Sequence, residues 1–178
     1  MLCGVWIALV AIGVCGRLWQ PGWNVTPMAG IALAAGAVFP NPLVAASVPL
    51  VSLALGNVFL PGYGSGALAV VVFVASAWPV LLGRRFSLLE RWTGARRLEL
   101  AGGALASSLV FFLSTNLAHW WLTEDYPRTA AGLVSCYAAA LPFYRWMPAG
   151  DLAWTAVVFA SLSAALAAVR ASRGVAVA

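Results

Sequence analysis

Seven apolar runs follow one another along the chain, at residues 2–18, 27–39, 43–60, 67–83, 101–121, 130–144 and 152–169. Apart from Arg17, near the end of the first run, the charged residues lie between the runs or beyond the last. A helix that is apolar on every face needs an apolar surrounding, either a large protein core or lipid. Composition decides between the two. Only 8% of the 178 residues are charged and 63% are hydrophobic, whereas a soluble domain carries about 25% charged residues. Lipid is therefore the expected solvent. The expected fold is all-α, a polytopic membrane helix bundle. No linker, repeat or shift in composition divides the chain, so residues 1–178 read as a single integral membrane domain.

A spanning helix needs about 20 apolar residues for a hydrocarbon core ~30 Å thick. Run 27–39 has 13 residues, or about 20 Å of helix. It is short for a span, and a re-entrant helix buried in protein is the alternative. The expectation is six spans plus one short or re-entrant helix, or seven spans. The opening segment has no basic stretch before its apolar run, and Val14 precedes Cys15 where lipoprotein processing favours a small residue. It reads as a retained first span.

All ten basic residues are Arg, and the net charge is +5. Arg84, Arg85, Arg91, Arg96 and Arg97 share one connector, which marks the cytoplasmic side. Phe86, Leu89 and Trp92 in that connector have helical spacing, suited to the membrane surface. By alternation, TEDYPRT at 123–129 and PGYGSG at 61–66 face the opposite side, and Arg145 faces the cytoplasm. Arg17 falls inside if run 27–39 is re-entrant and outside if it spans. No basic face of the kind nucleic acid requires is present, so no nucleic-acid partner is expected.

Polar groups within the apolar runs each need a partner. Ser108, Thr115 and His119 share one helix face, with Asn116 beside His119. That face serves either interhelical hydrogen bonds or a ligand pocket. Asn57 stands at the end of its run and reads as a cap or as a further pocket group. Glu124, Asp125 and Arg128 flank Tyr126-Pro127, either as a solvated turn or as a rigid lid. Asp151 follows Pro148-Ala149-Gly150 and reads as an N-cap, as does Thr129. In run 27–39, Gly30 and Ala34, and Ala32 and Gly36, have the spacing that lets helix backbones approach in lipid. They serve internal packing or the docking of a partner membrane protein.

No complete catalytic pattern is found, and spacing alone does not decide a Cys136–His119 pair. Ser65 in GYGSG lacks the glycine spacing of a nucleophile elbow. There is no HExxH. Asp125 and Asp151 both read as connector residues, which disfavours an aspartyl pair. Cys3, Cys15 and Cys136 have no CxxC spacing and read as buried small hydrophobes, so no metal site is expected. Neither an enzyme nor a bound cofactor is expected.

The segments NVTPMAGIALAAGAVF (24–39), FFLSTNLAHW (111–120), YPRTAAGLVSCY (126–137), LPF (141–143) and GD (150–151) occur in an order that resembles an uncharacterised family of small bacterial integral membrane proteins. The resemblance covers nearly the whole chain and implies a multi-pass protein of the bacterial inner membrane. In size, small-residue segment and outer loops the layout also resembles the S components of energy-coupling-factor vitamin transporters. That likeness implies capture of a vitamin- or cofactor-like small molecule for uptake, with Asn57, Asn116, His119 and Tyr126 as ligand-binding residues. It also implies a partner membrane protein docked through Gly30, Ala34 and Gly36. Relatives often carry an acidic residue where this chain has Gly56-Asn57, which argues against a cation role there. The rival expectation is a structural or assembly protein, in which neighbouring side chains fill the polar face of 101–121 and leave no cavity.

Overall fold

A computed structural model describes residues 2–20, 24–88 and 93–175, except for the side chains of 173–175. Eight helices account for most of these residues: α1 (Leu2–Leu18), α2 (Met28–Val38), α3 (Pro42–Gly56), α4 (Gly66–Ala77), α5 (Pro79–Gly83), α6 (Gly94–Leu122), α7 (Ala130–Tyr144) and α8 (Met147–Val175). The all-α bundle is as expected. Among the described residues, three segments are long and apolar enough to cross a membrane: Gly66–Gly83, Gly94–Leu122 and Met147–Ser172. Large apolar side chains lie exposed on the outside of the bundle, among them Leu43, Val58, Phe59, Val70, Val134 and Val157. Around helices of this length, such a surface suits lipid rather than water.

Side-chain caps start four of the helices. Asn41 accepts from Leu43 N and Val44 N, Ser65 from Leu68 N, Thr93 from Arg96 N and Thr129 from Gly132 N. Each oxygen satisfies an amide that the first turn leaves without an intrahelical acceptor. Ser65, weighed above as a nucleophile, is thus a helix cap.

The short run forms the centre of the bundle. Met28 through Gly36 are all buried, and α2 packs against α1, α3, α4, α5, α6 and α8. Its small residues make this approach feasible. A Cβ on Gly36 would collide with the carbonyl oxygen of Val80, and one on Gly83 with that of Leu33. A Cβ on Gly30 would stand 3.0 Å from the backbone nitrogen of Thr155. Of the two roles expected of Gly30, Ala34 and Gly36, internal packing or docking of a partner protein, internal packing is the one their positions serve. All three are buried against the chain's own helices, because backbones approach closely only where side chains are small.

The start of α2 lies against the end of α1, where Gly16 meets Pro27. The pair is thus antiparallel. α7 turns back along α6: Trp120 Nε1 donates to Pro127 O at 2.9 Å, and Tyr137 Oη to Leu113 O at 2.7 Å. Lower still, the Tyr144 ring is 4.4 Å from Phe112. α8 then continues in the direction of α7 rather than reversing, since Asp151 meets Ser108 and Phe159 meets Phe86. Runs 130–144 and 152–169 thus form one descending passage with a break at Arg145-Trp146. Arg145 sits near the mid-length of α6 and not at the cytoplasmic end that alternation assigns to it. Proline accounts for the break. Pro142 lacks the N–H that would continue the α7 ladder, and Pro148 suits the first turn of a new helix.

Of the predicted surface-lying segment, Leu89 and Trp92 fall outside the described residues. Phe86 is buried, packed edge-on against Phe159, with the Arg96 guanidinium 5.3 Å from its ring centre. It faces the bundle and not the membrane surface.

Candidate functional site

The polar face of α6 borders a cavity of about 400 Å³. The cavity runs from Ser107 and Asp151, deep in the bundle, to His119 and Gln20 near the ends of α6 and α1. Met28 and Ala29 of α2, Leu68, Val72 and Ala75 of α4, and Phe111 and Met147 supply its apolar wall. Arg17, Asn24, Tyr63, Ser76, Thr115 and Asn116 bring polar atoms to it. A second cavity of about 200 Å³ adjoins it and shares Asn24, Phe111, Thr115, Asn116 and Met147.

Three hydroxyls in the wall use their protons on their own helices. Ser107 donates to Gly103 O at 2.7 Å, Thr115 to Phe111 O at 2.7 Å, and Ser76 to Val72 O at 2.8 Å. Asn116 Nδ2 likewise donates to Phe112 O at 2.7 Å. Such bonds leave acceptor capacity on each side-chain oxygen. His119 Nε2 lies 3.0 Å from Asp125 Oδ2, and its ring stands edge-on to Tyr126, with 6.2 Å between centres.

Two charged residues line the cavity from helices that α2 separates. Arg17, in the last turn of α1, donates from Nη2 to Asn57 Oδ1 at 2.8 Å. Tyr63 Oη also reaches that oxygen, at 3.5 Å. Arg17 Nε is buried and has no hydrogen-bond acceptor among the described residues. Opposite, Asp151 is 5% exposed, and its Oδ2 accepts from Ser108 Oγ at 2.5 Å. The N-cap expected of Asp151 is not formed. α8 begins at Met147, which places Asp151 in its second turn, where the carboxylate turns inward. A buried charge with so few partners costs several kcal/mol.

Of the four expected ligand residues, Asn116 and His119 line the cavity. Asn57 stands behind it and orients Arg17 and Tyr63. Tyr126 touches His119 without lining the cavity. Arg17, Tyr63 and Asp151 also line the cavity and are not among the ligand residues expected from sequence. An Arg inside the first apolar run and an Asp just ahead of the last were the available signals. The connector 123–129 is a compact turn: Arg128 Nη2 donates to Thr123 O at 3.0 Å, and its guanidinium lies 5.4 Å from the centre of the Trp121 ring. Cys136 is buried and directs its thiol at Asn116 O, 3.6 Å away, while His119 turns to Asp125. Cys3 and Cys15 are exposed on the bundle surface, not buried as expected.

No curated protein and no solved structure matches the chain, so the likeness to transporter S components rests on layout alone. A family of unknown function, DUF6580, matches residues 2–173. That is nearly the whole length, in agreement with the resemblance carried by the TN, YPRT and PF segments, and the chain belongs to this family.

Proposed function

We propose that this protein is a multi-pass component of the bacterial inner membrane that binds a small molecule in the cavity beside α6, as a step in its uptake. The observation that carries this reading is the cavity itself. Its volume of about 400 Å³ falls in the range of small-molecule sites, roughly 300–1,000 Å³. Its wall combines apolar side chains with convergent polar ones, and such polar groups fix the orientation of a bound molecule. A purely structural bundle gains nothing from leaving Arg17 and Asp151 beside open space. The binding role is non-catalytic, with Asn116 and His119 as hydrogen-bonding groups and Asn57 holding Arg17 in place.

The test is substitution with binding measured separately from folding. Asn116→Ala and His119→Ala are expected to weaken ligand binding by about tenfold each, near the value of one lost hydrogen bond. Elution volume and helical content should not change. If both variants fold and bind as the parent does, the cavity is not the binding site.

A further inference from the structure

We infer that the ligand is dipolar: it carries a cationic group that meets Asp151 and an anionic group that meets Arg17. This rests on the binding reading above and adds the charge class of the ligand. Arg17 and Asp151 have opposite formal charges and line one cavity, yet they are not paired with each other. Among the described residues the Arg17 guanidinium hydrogen-bonds only a neutral partner, Asn57, and keeps a buried Nε without an acceptor. Asp151 accepts only from Ser108, also neutral. Asp151, which is buried, and Arg17, which is half-buried with its Nε enclosed, therefore both lack a counter-charge.

A ligand of one sign would satisfy one residue and leave the other desolvated and unpaired. A ligand with both charges satisfies the two together. An Arg fork favours a carboxylate or phosphate oxygen pair. A single buried carboxylate with a hydroxyl neighbour favours an ammonium or a protonated ring nitrogen. The apolar part of the cavity wall, with Phe111 and Met147, suits an aromatic or aliphatic body.

Three probes share one ring system and differ only in charge: L-tryptophan (both charges), tryptamine (cation) and indole-3-propionate (anion). Their binding to the intact protein in detergent is measured by thermal shift and by native mass spectrometry. Tryptophan is expected to bind at least tenfold more tightly than either singly charged probe. Arg17→Gln should lower tryptophan to the level of tryptamine, and Asp151→Asn to the level of indole-3-propionate. Arg17→Lys, which keeps the charge, should recover part of the loss. The comparison of probes on the wild-type protein stands even if a variant does not fold. Equal binding of all three, or a preference for one singly charged probe, overturns the dipolar assignment. If that binding is still lost in Asn116→Ala, the cavity reading survives. If none of the three binds, the dipolar assignment fails for ligands of this size, and the cavity reading is then judged by its own substitutions.

Discussion

At the scale of single residues, the Ser108–Asp151 pair is the polar contact with most at stake. Ser108 supplies the one hydrogen bond that Asp151 receives among the described residues. Removing a donor from a buried acceptor costs about 1–3 kcal/mol, more when the acceptor is charged. Ser108→Ala should therefore destabilise the protein by at least that amount, read from unfolding in detergent. Ser135→Ala should be close to neutral, because Ser135 is exposed and bonds only its own helix, at Ala131 O. Equal effects from the two would show that the Asp151 contact contributes nothing particular. Sequence made Asn116 and His119 legible because helical periodicity places them on one polar face. It did not reveal Asp151, because Pro148-Ala149-Gly150 before an acid looks the same whether the helix starts after the glycine or before the proline. Arg17 was legible only as a topology marker. Its place in the cavity depends on how α1 meets α3, which no local pattern encodes.

At the scale of elements, α2 holds the bundle together through the absence of side chains. Gly36→Ala should cost about 1–3 kcal/mol or more, since the added methyl meets the Val80 carbonyl oxygen, which belongs to backbone and cannot rotate away. Gly103→Ala is the control. Its added methyl would find Leu33 Cδ2 at 3.6 Å, an ordinary contact, and a helical Gly→Ala change gains up to about 1 kcal/mol in propensity. The expected order of stability is Gly103→Ala at or above the parent and Gly36→Ala well below it; the reverse order contradicts the central placement of α2. The shortness of run 27–39 and its small residues pointed to a buried helix. They did not say that six other helices would surround it. The break at Arg145-Trp146 was also visible as prolines, but a break between collinear helices and a reversing turn carry the same proline signals.

At the scale of the whole molecule, direction follows from α6. Its start lies near the arginine-rich connector, and its end lies beside residues 123–129 and the mouth of the cavity. By the positive-inside tendency, the end of the cavity beside His119 is expected on the outer side. In a background with Cys3, Cys15 and Cys136 replaced, Gly64→Cys and Glu124→Cys should react with an impermeant maleimide on intact cells. Ser87→Cys should react only after permeabilisation. The opposite pattern would turn the cavity toward the cytoplasm and remove the case for uptake.

The proposed function requires that the cavity beside α6 hold a small molecule. Native mass spectrometry of the protein purified in mild detergent, with an absorbance spectrum of the same sample, reads that occupancy. The predicted result is a one-to-one small-molecule adduct, present on purification or after incubation with a panel of vitamins and cofactors, and lost in Asn116→Ala and His119→Ala. A protein that stays bare through the whole panel, while folded, would contradict the claim and favour a structural or assembly role.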